Sequence, residues 1–307
     1  MSAVVQINNL TKKFGDFTAV QNLTLEMKKG ESFGLIGPRG SGKSTVFKLL
    51  YGALTLTTGE AFLLGLNVRD HILEIKSRVG IVPQEGGFDP ELTVFENLKV
   101  LSQFYKFPDS FSKNSVEFNL RRLKLEDKID NFVSELSYEQ TKRLSLARAL
   151  IHKPELLLVD DFFLGLTESG IKEFIEFFNL LKSEGVSVLH TFESHTYAEI
   201  LCDRVGLMDH GRILISGTPG SLKSELIGQH ILEFESHFSD MNYYLQKIRE
   251  SDFEYQVYRD TVNVFVRSPR TLKDVYSLIS SERITMRKAN LADVFLRLSG
   301  RPLGSEK

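Results

Sequence analysis

Runs of apolar residues predict strands followed by a helix in the first part of the chain. Residues 4–7 and 23–27 alternate between apolar and polar positions, as half-buried strands do, and residues 33–36 form a short apolar run. From Lys43 onward the apolar residues recur every three or four positions, which is typical of a helix. The chain is therefore predicted to pass from strand to helix through the glycine-rich residues 37–42.

The middle of the chain alternates between predicted helices and strands. Apolar residues recur every three or four positions over about 91–130, as in helices, and a second helix is expected over about 139–152. Short apolar strands are predicted at 156–159 and 186–189, with a helix of about 169–184 between them. Strands that alternate with helices indicate an α/β fold in which helices cover a parallel sheet.

The pattern changes after a turn-rich stretch at residues 216–220. Beyond it, short strands and helices alternate without the long helices of the middle region. The expected elements are a strand at 231–235, a helix at 240–250, strands around 254–266, a helix at 271–281, a strand near 284–287 and a closing helix at 291–298. We predict two domains, 1–225 and a small α+β domain over 226–307.

Composition excludes several classes of protein. The 307 residues are 42% hydrophobic and 25% charged, with a net charge of −2, so a core is expected and no basic excess indicates nucleic acid as a partner. The single cysteine, Cys202, cannot form an internal disulfide and is expected to be a small buried residue in a reducing compartment. No apolar run approaches the roughly 18 residues of a membrane span, and the first residues lack the pattern of a secretory signal.

Residues 37–45 carry the most specific chemical signal, because they match G-x-x-x-x-G-K-[ST] between a strand and a helix. In such a loop the main-chain N–H groups approach a polyphosphate, the lysine reaches its β- and γ-phosphates, and the hydroxyl after the lysine holds Mg²⁺. The alternative is a glycine-rich turn that only caps a helix. The predicted nucleotide-binding residues are Gly37, Pro38, Arg39, Gly40, Ser41, Gly42, Lys43, Ser44 and Thr45.

Further motifs follow in a fixed order, and together they resemble the ATP-binding subunits of ABC transporters over nearly the whole chain. Residues 37–45 resemble the Walker A motif, and Asp160, at the end of the apolar run 156–159, resembles the Walker B aspartate that orients Mg²⁺. Residues 82–85 resemble the Q-loop, and residues 136–150 occupy the position of the signature segment and its helix. The closing residues 289–296 resemble the drug-resistance and polysaccharide-export class.

The resemblance implies a P-loop ABC-type nucleotide-binding domain. Its parts are a RecA-like core sheet, an antiparallel β subdomain, a helical subdomain over about 91–150 and the small C-terminal α+β domain. The implied cofactors are ATP and Mg²⁺, with Phe14 and Val20 at the nucleotide and Gln84 at Mg²⁺ or the attacking water. The implied contacts with the nucleotide of a partner subunit are Ser137, Tyr138, Glu139 and Gln140. The alternatives are that Phe14 is a core residue and that Gln84 is an ordinary loop amide.

Two positions depart from the family pattern in residues that serve hydrolysis. Asp161 stands where the family has a glutamate that polarises the attacking water, and its side chain is one methylene shorter. Glu193 stands at the switch-histidine position, where an ionised carboxylate accepts hydrogen bonds only and repels a phosphate unless it is turned away. His195 either substitutes for that histidine or begins the next helix. We expect binding of Mg-ATP to be retained and hydrolysis to be slow.

The signature segment carries Tyr138 and Glu139 where the family has glycines. Side chains there obstruct a close approach of the main chain, and Glu139 adds an anion to the first helical turn. Ser137 and Gln140 also match the pattern of a capping box. The alternative to a contact with the nucleotide of a partner subunit is therefore a well-capped helix start. Two smaller departures are Thr167, which can still cap the helix after it, and Arg39, which either adds a cation near the phosphates or is a solvated arginine.

These observations predict the ATP-binding subunit of an ABC exporter, which couples Mg-ATP binding and slow hydrolysis to a separate membrane permease. The expected partners are that permease and a second ATP-binding subunit, in a homodimer or a heterodimer, with no nucleic acid. The resemblance implies a cytoplasmic protein, peripheral on the inner face of the membrane. The alternatives are a regulatory or assembly subunit with little or no hydrolysis and a soluble ABC-type ATPase acting on nucleic acid or ribosomes, which the charge balance disfavours.

Overall fold

The computed structural model describes residues 3–104, 113–235, 238–251, 253–267, 269–278 and 284–303. The chain divides into two compact units, Met1–Ile213 and Leu214–Lys307. This division precedes the predicted boundary at residue 225, because the helix at Pro219–Leu226 packs against the last helix of the second unit. Within the described ranges, no helix combines the length and the apolar character that crossing a bilayer requires.

The first unit alternates strands and helices along most of its length. In chain order its elements are β1 (Ala3–Phe14), β2 (Phe17–Lys28), β3 (Ser32–Ile36), α1 (Lys43–Leu50), β4 (Thr58–Leu63), β5 (Leu66–Asn67), α2 (Ile72–Arg78), β6 (Val79–Val82), α3 (Val94–Phe104), α4 (Lys113–Arg122), α5 (Tyr138–Leu150), β7 (Leu156–Val159), α6 (Glu168–Ser183), β8 (Ser187–Phe192), α7 (His195–Leu201) and β9 (Arg204–Asp209). The next strand, β10 (Arg212–Gly217), includes the residues at which the chain divides. The predicted helical stretch 91–130 contains α3 and α4, and its residues 105–112 lie outside the described residues.

Two sheets build the first unit. An antiparallel sheet has the strand order β2-β1-β4-β5, and a six-stranded sheet has the order β10-β9-β3-β8-β7-β6. The pairs β3–β8, β3–β9, β7–β8 and β6–β7 are parallel. Every residue of β3, β7 and β8 is buried, as expected for central strands covered on both faces. The loops that follow β3, β6, β7 and β8 therefore meet at one edge of this sheet, where parallel sheets bind ligands.

The second unit is the small α+β fold that the sequence predicts. Its elements are α8 (Pro219–Leu226), β11 (His230–Glu235), α9 (Phe238–Glu250), β12 (Tyr255–Tyr258), β13 (Thr261–Val266), α10 (Pro269–Leu278), β14 (Ile284–Lys288) and α11 (Leu291–Ser299). The strands form an antiparallel sheet with the order β12-β13-β11-β14. Leu232, Phe234, Val262 and Val264 are completely or almost completely buried in its core. The last three residues of the helix predicted at 271–281 lie outside the described residues.

Candidate nucleotide-binding site

The glycine-rich loop joins β3 to α1, as predicted. Gly42 precedes the helix with a φ of 105°, and a Cβ at this position would lie 2.6 Å from the main-chain oxygen of Ala19. Both the left-handed conformation and the close approach require glycine. No described side chain caps the start of α1. Its first N–H groups are therefore available to an anion, as in helices that bind phosphate.

Lys43 lies beneath this loop and is only 5% exposed. Its ammonium nitrogen donates to the main-chain oxygens of Gly37, at 2.6 Å, and Pro38, at 3.0 Å. Burial lowers the pKa of Lys43, and the carboxylates of Glu193 and Asp161 act in the opposite direction. The lysine is thus a cation held by weak main-chain acceptors, and a polyphosphate in the loop would be a stronger partner for it.

Asp160 follows β7 and lies beside the loop. One of its carboxylate oxygens, Oδ1, accepts from the hydroxyl of Thr191 and from the Ser44 hydroxyl at 3.4 Å. Its own N–H donates to the main-chain oxygen of Val82 at 2.9 Å. A hydroxyl and a carboxylate are the oxygen ligands that Mg²⁺ prefers when it also binds substrate phosphates. Ser44 and Asp160 therefore fit the predicted magnesium ion.

Asp161 adopts a φ of 40°, which is uncommon for a residue other than glycine. Its N–H donates to the Thr191 hydroxyl at 2.9 Å, so Thr191 holds both acidic residues. Its Oδ2 atom is buried and has no hydrogen-bond partner among the residues that the structure describes. Burial raises the pKa of Asp161, the charge of Glu193 raises it further, and Lys43 lowers it. An acceptor oxygen without a partner beside the loop is suited to bind a water molecule.

Glu193 follows β8 at the same edge of the sheet. Its Oε1 lies 3.4 Å from Nε of Arg39, in the glycine-rich loop. The side chain of Arg39 is 68% exposed and that of Glu193 is 33% exposed. Arg39 is therefore a largely solvated arginine, as one of the two alternatives expected, and it also lies near the Glu193 carboxylate. His195 is the first residue of α7, which confirms the expectation that it begins the next helix.

Gln84 is half-buried in the loop after β6. Its main-chain oxygen accepts a 2.7 Å hydrogen bond from the ammonium group of Lys142 in α5. Sequence reasoning assigned no role to Lys142 or to Thr191. Lys142 lies in the segment that resembles the signature helix, but only the fold brings it to Gln84. Thr191 had one available signal, because it is a polar residue near the end of an apolar strand.

The signature segment begins α5 with the predicted capping box. The N–H of Gln140 donates to the Ser137 hydroxyl at 3.3 Å, and the N–H of Ser137 donates to Gln140 Oε1 at 2.8 Å. The Tyr138 hydroxyl donates to the main-chain oxygen of Leu164 at 2.9 Å. The first two bonds lie within the start of α5, and the third connects it to the loop after Asp161.

Glu139 is also engaged within the chain. Its carboxylate accepts from Arg143 at 2.8 Å and from the hydroxyl of Thr167 at 3.1 Å. Thr167 caps α6, as predicted, by accepting from the N–H of Gly170. A Cβ at Gly170 would lie 2.4 Å from the Glu139 carboxylate, which would have to shift to make room for it.

The structure brings Lys43, Ser44, Asp160, Asp161 and Glu193 to one sheet edge but gives different results for the other predicted contacts. Phe14 is 46% exposed, so it is not the core residue of the alternative interpretation. Val20 is completely buried in the core, and a contact between its side chain and a nucleotide finds no support in this geometry. Cys202 is buried as expected, and burial raises the pKa of its thiol to about 12.

Known proteins are similar to this chain over most of its length. The sequence profile of the ABC transporter family matches residues 20–163. The Nod factor export ATP-binding protein I of Cupriavidus metallidurans is 33% identical to this chain over 304 residues, and the match covers 99% of both proteins. The protein of the same name from Rhizobium meliloti is 32% identical over 302 residues, which cover 98% of this chain and 90% of that one.

Solved structures share the fold of the larger part of the chain. A dimeric ATP-binding cassette in a post-hydrolysis state, bound to ADP and Pi, is 25% identical, with a TM-score of 0.64 over 70% of this chain and 98% of that one. The structure of cbiO1, part of the cbiONQ ABC transporter complex of Clostridium perfringens, is 24% identical, with a TM-score of 0.66 over 73% of this chain and 92% of that one.

Proposed function

We propose that this chain, which belongs to the ABC transporter family as an ATP-binding subunit, binds Mg-ATP at residues 37–45. In this proposal the subunit drives a separate permease, and the permease exports a substrate. The observation that carries this proposal is the buried Lys43 beneath an uncapped helix start, facing Asp160 and Asp161 at one sheet edge. The names of the relatives, which are Nod factor export ATP-binding proteins, support export as the direction.

The nucleotide would occupy the loop residues 37–45, with Phe14 at its base. Ser44, Asp160 and Gln84 would hold Mg²⁺, which when bound supplies positive charge to the phosphates. Asp161 would orient and deprotonate the attacking water. Because its side chain is one methylene shorter than glutamate, and a misplacement of about 1 Å can cost on the order of 10²-fold in rate, we infer slow hydrolysis.

A second candidate function is an ATP-binding regulatory or assembly subunit with little or no hydrolysis. Two observations favour it. Glu193 places a carboxylate, which when ionised is a hydrogen-bond acceptor only, at the position where the family has a histidine. The side chains of Tyr138 and Glu139 bond within their own chain instead of leaving the start of α5 open.

The Asp161→Glu substitution distinguishes the two candidates. If the short carboxylate limits a working ATPase, this variant should release phosphate roughly tenfold faster, because the longer side chain reaches the water directly. Asp161→Asn is the control and should abolish the rate that remains. If turnover of Asp161→Glu equals that of the wild type, the short carboxylate is not the limiting feature.

The partners of the proposed subunit are a permease and a second ATP-binding subunit, identical or different, at the cytoplasmic face of the membrane. The dimeric state of a structural relative supports pairing. Co-expression with a candidate permease tests this proposal. The chain should purify with the membranes only when the permease is present, and Lys43→Ala should abolish transport but not association. A chain that never associates with a membrane protein would contradict the transporter role.

A further inference from the structure

Lys142 is a buried cation to which the proposed function assigns no task. It lies on α5 and is only 4% exposed, although lysine is among the residues that are least often buried. Its ammonium nitrogen lies 5.4 Å from the centre of the Tyr138 ring and 5.5 Å from that of Phe162, both within the range of cation–π attraction. The two rings thus lie against the buried ammonium group of Lys142.

The ammonium group donates a hydrogen bond outside its own helix, to the main-chain oxygen of Gln84 at 2.7 Å. Burial lowers the pKa of Lys142, whereas the carboxylates of Asp161, Asp160 and Glu85 favour its charged form. The lysine therefore stands between the loop after β6 and the acidic residues of the nucleotide site.

The loop after β6 is attached to the site at two points. The N–H of Asp160 donates to the main-chain oxygen of Val82, which fixes the end of β6. The bond from Lys142 fixes the main chain two residues later, beyond Pro83. With the first bond alone, the next hydrogen bond from α5 to this loop would be that of Arg148 with the main-chain oxygen of Gly87, at 3.3 Å, three residues beyond Gln84. The second bond sets the point from which the Gln84 side chain projects.

We propose that Lys142 is a positioning residue for the nucleotide site, which holds the main chain of Gln84 against α5 and so places the Gln84 side chain relative to Asp160. This inference rests on the proposed function, because Gln84 is assigned to Mg²⁺ there. The covering Tyr138 ring makes the signature helix part of the same arrangement, so a shift of α5 would move Gln84 as well.

The variant Lys142→Met tests the inference, because it keeps an apolar chain of similar length and removes the donor. Ser145→Ala is the matched control. Ser145 is 1% exposed on the same helix, and its hydroxyl donates to the main-chain oxygen of Thr141 at 3.1 Å. Each variant removes one buried hydrogen bond to a carbonyl, but only the first touches the loop of Gln84.

Calorimetric titration with ATP over a series of Mg²⁺ concentrations, together with thermal unfolding, gives the readout. We expect Lys142→Met to raise the Mg²⁺ concentration for half-maximal ATP binding about tenfold, as the loss of one positioned ligand would. Ser145→Ala should leave that concentration unchanged. In a Gln84→Ala background, Lys142→Met should have no further effect on it, because a residue that acts through Gln84 has nothing left to place.

The outcomes are distinguishable. A wild-type protein that binds no ATP overturns both this inference and the proposed function. ATP binding by the wild type with an unchanged Mg²⁺ dependence in Lys142→Met, whatever its unfolding temperature, overturns this inference alone. An equal effect of Lys142→Met with and without Gln84 also overturns it. If the methionine variant does not fold, Lys142→Gln, whose shorter amide cannot span the same distance, is compared in its place.

Discussion

Two helices of the first unit begin in opposite ways. α1 follows Gly42 without a described side-chain cap, and the ammonium group of Lys43 lies beneath its start. α5 begins with reciprocal bonds between Ser137 and Gln140 and has Glu139 in its first turn. A carboxylate in the first turn already interacts with the positive end of the helix dipole. One helix start is thus open to an anion, whereas the other is satisfied by its own side chains.

This difference makes the two predicted nucleotide contacts of the subunit unequal. The start of α1 has what is needed to hold a polyphosphate. The start of α5, which in the ABC family is expected to close over the nucleotide of a partner subunit, is connected to Leu164 and Thr167 of its own chain.

The largest effect is expected from Lys43→Ala. Removing the buried cation takes away the main positive charge beneath the phosphates, and we expect ATP affinity to fall at least about 100-fold, since charge-assisted bonds are the strong ones. Lys48→Ala is the control, because Lys48 is exposed in the last turn of the same helix. Calorimetry measures both. An affinity for Lys43→Ala within a few-fold of the Lys48→Ala value would place the nucleotide elsewhere.

A smaller effect is expected from Tyr138→Gly combined with Glu139→Gly, which reopens the start of α5. Two glycines in a first turn cost about 1 kcal/mol each, so the unfolding temperature should fall by several degrees. If these side chains obstruct closure on a partner nucleotide, ATP-dependent dimerisation in light scattering should strengthen roughly tenfold. Tyr138→Phe, which loses only the bond to Leu164, separates destabilisation from reopening. Dimerisation that is unchanged by the two glycines would show that the start of α5 is not the obstacle.

The contrast between the two helix starts includes elements that local sequence patterns predict well. The glycine-rich loop, the capping box of Ser137 and Gln140 and the Thr167 cap depend on residues within a few positions of one another, and each forms as expected. The helices α5 and α6 also agree with the expected bounds within two residues. β8 is longer than predicted, because His190 and Thr191 are polar but buried.

Contacts between distant segments could not be predicted in the same way. Arg39 meets Glu193 and Thr191 meets Asp160 because neighbouring parallel strands end at one edge of the sheet. Lys142 meets Gln84 because α5 packs against β6, which precedes the loop of Gln84. Such pairs leave no periodic signal in a single sequence. The strands β4, β6 and β9 were not predicted as separate strands either.

A few-fold effect is expected where Arg39 and Glu193 meet. Glu193→Gln should tighten ATP binding about threefold by removing an anion near Lys43, and Arg39→Ala should weaken it by a similar factor. In the double variant the two effects should not add, because each residue acts on the charge of the other. Glu184→Gln, which breaks the distant pair with Arg122, is the control. Fully additive effects would show that the two residues act independently.

The smallest effect concerns the pH dependence of stability at Asp161. Its pKa is raised in the folded protein, so the ionised form is penalised above that pKa, and the penalty disappears as the pH falls toward the ordinary value near 3.8. Asp161→Asn should therefore unfold at a temperature roughly 2–4 °C higher than the wild type at pH 7.5. The difference should shrink toward pH 4.5. A difference that grows as the pH falls would contradict the raised pKa.

One sample tests the central claim, that nucleotide binding is retained while hydrolysis is weak. Wild-type protein is titrated with ATP and Mg²⁺ in a calorimeter, and phosphate release is then followed in the same preparation at saturating nucleotide. We predict saturable binding together with turnover below about 1 per second, the lower end of the usual range for enzymes. Absence of binding heat, or turnover well inside that usual range, would contradict the account.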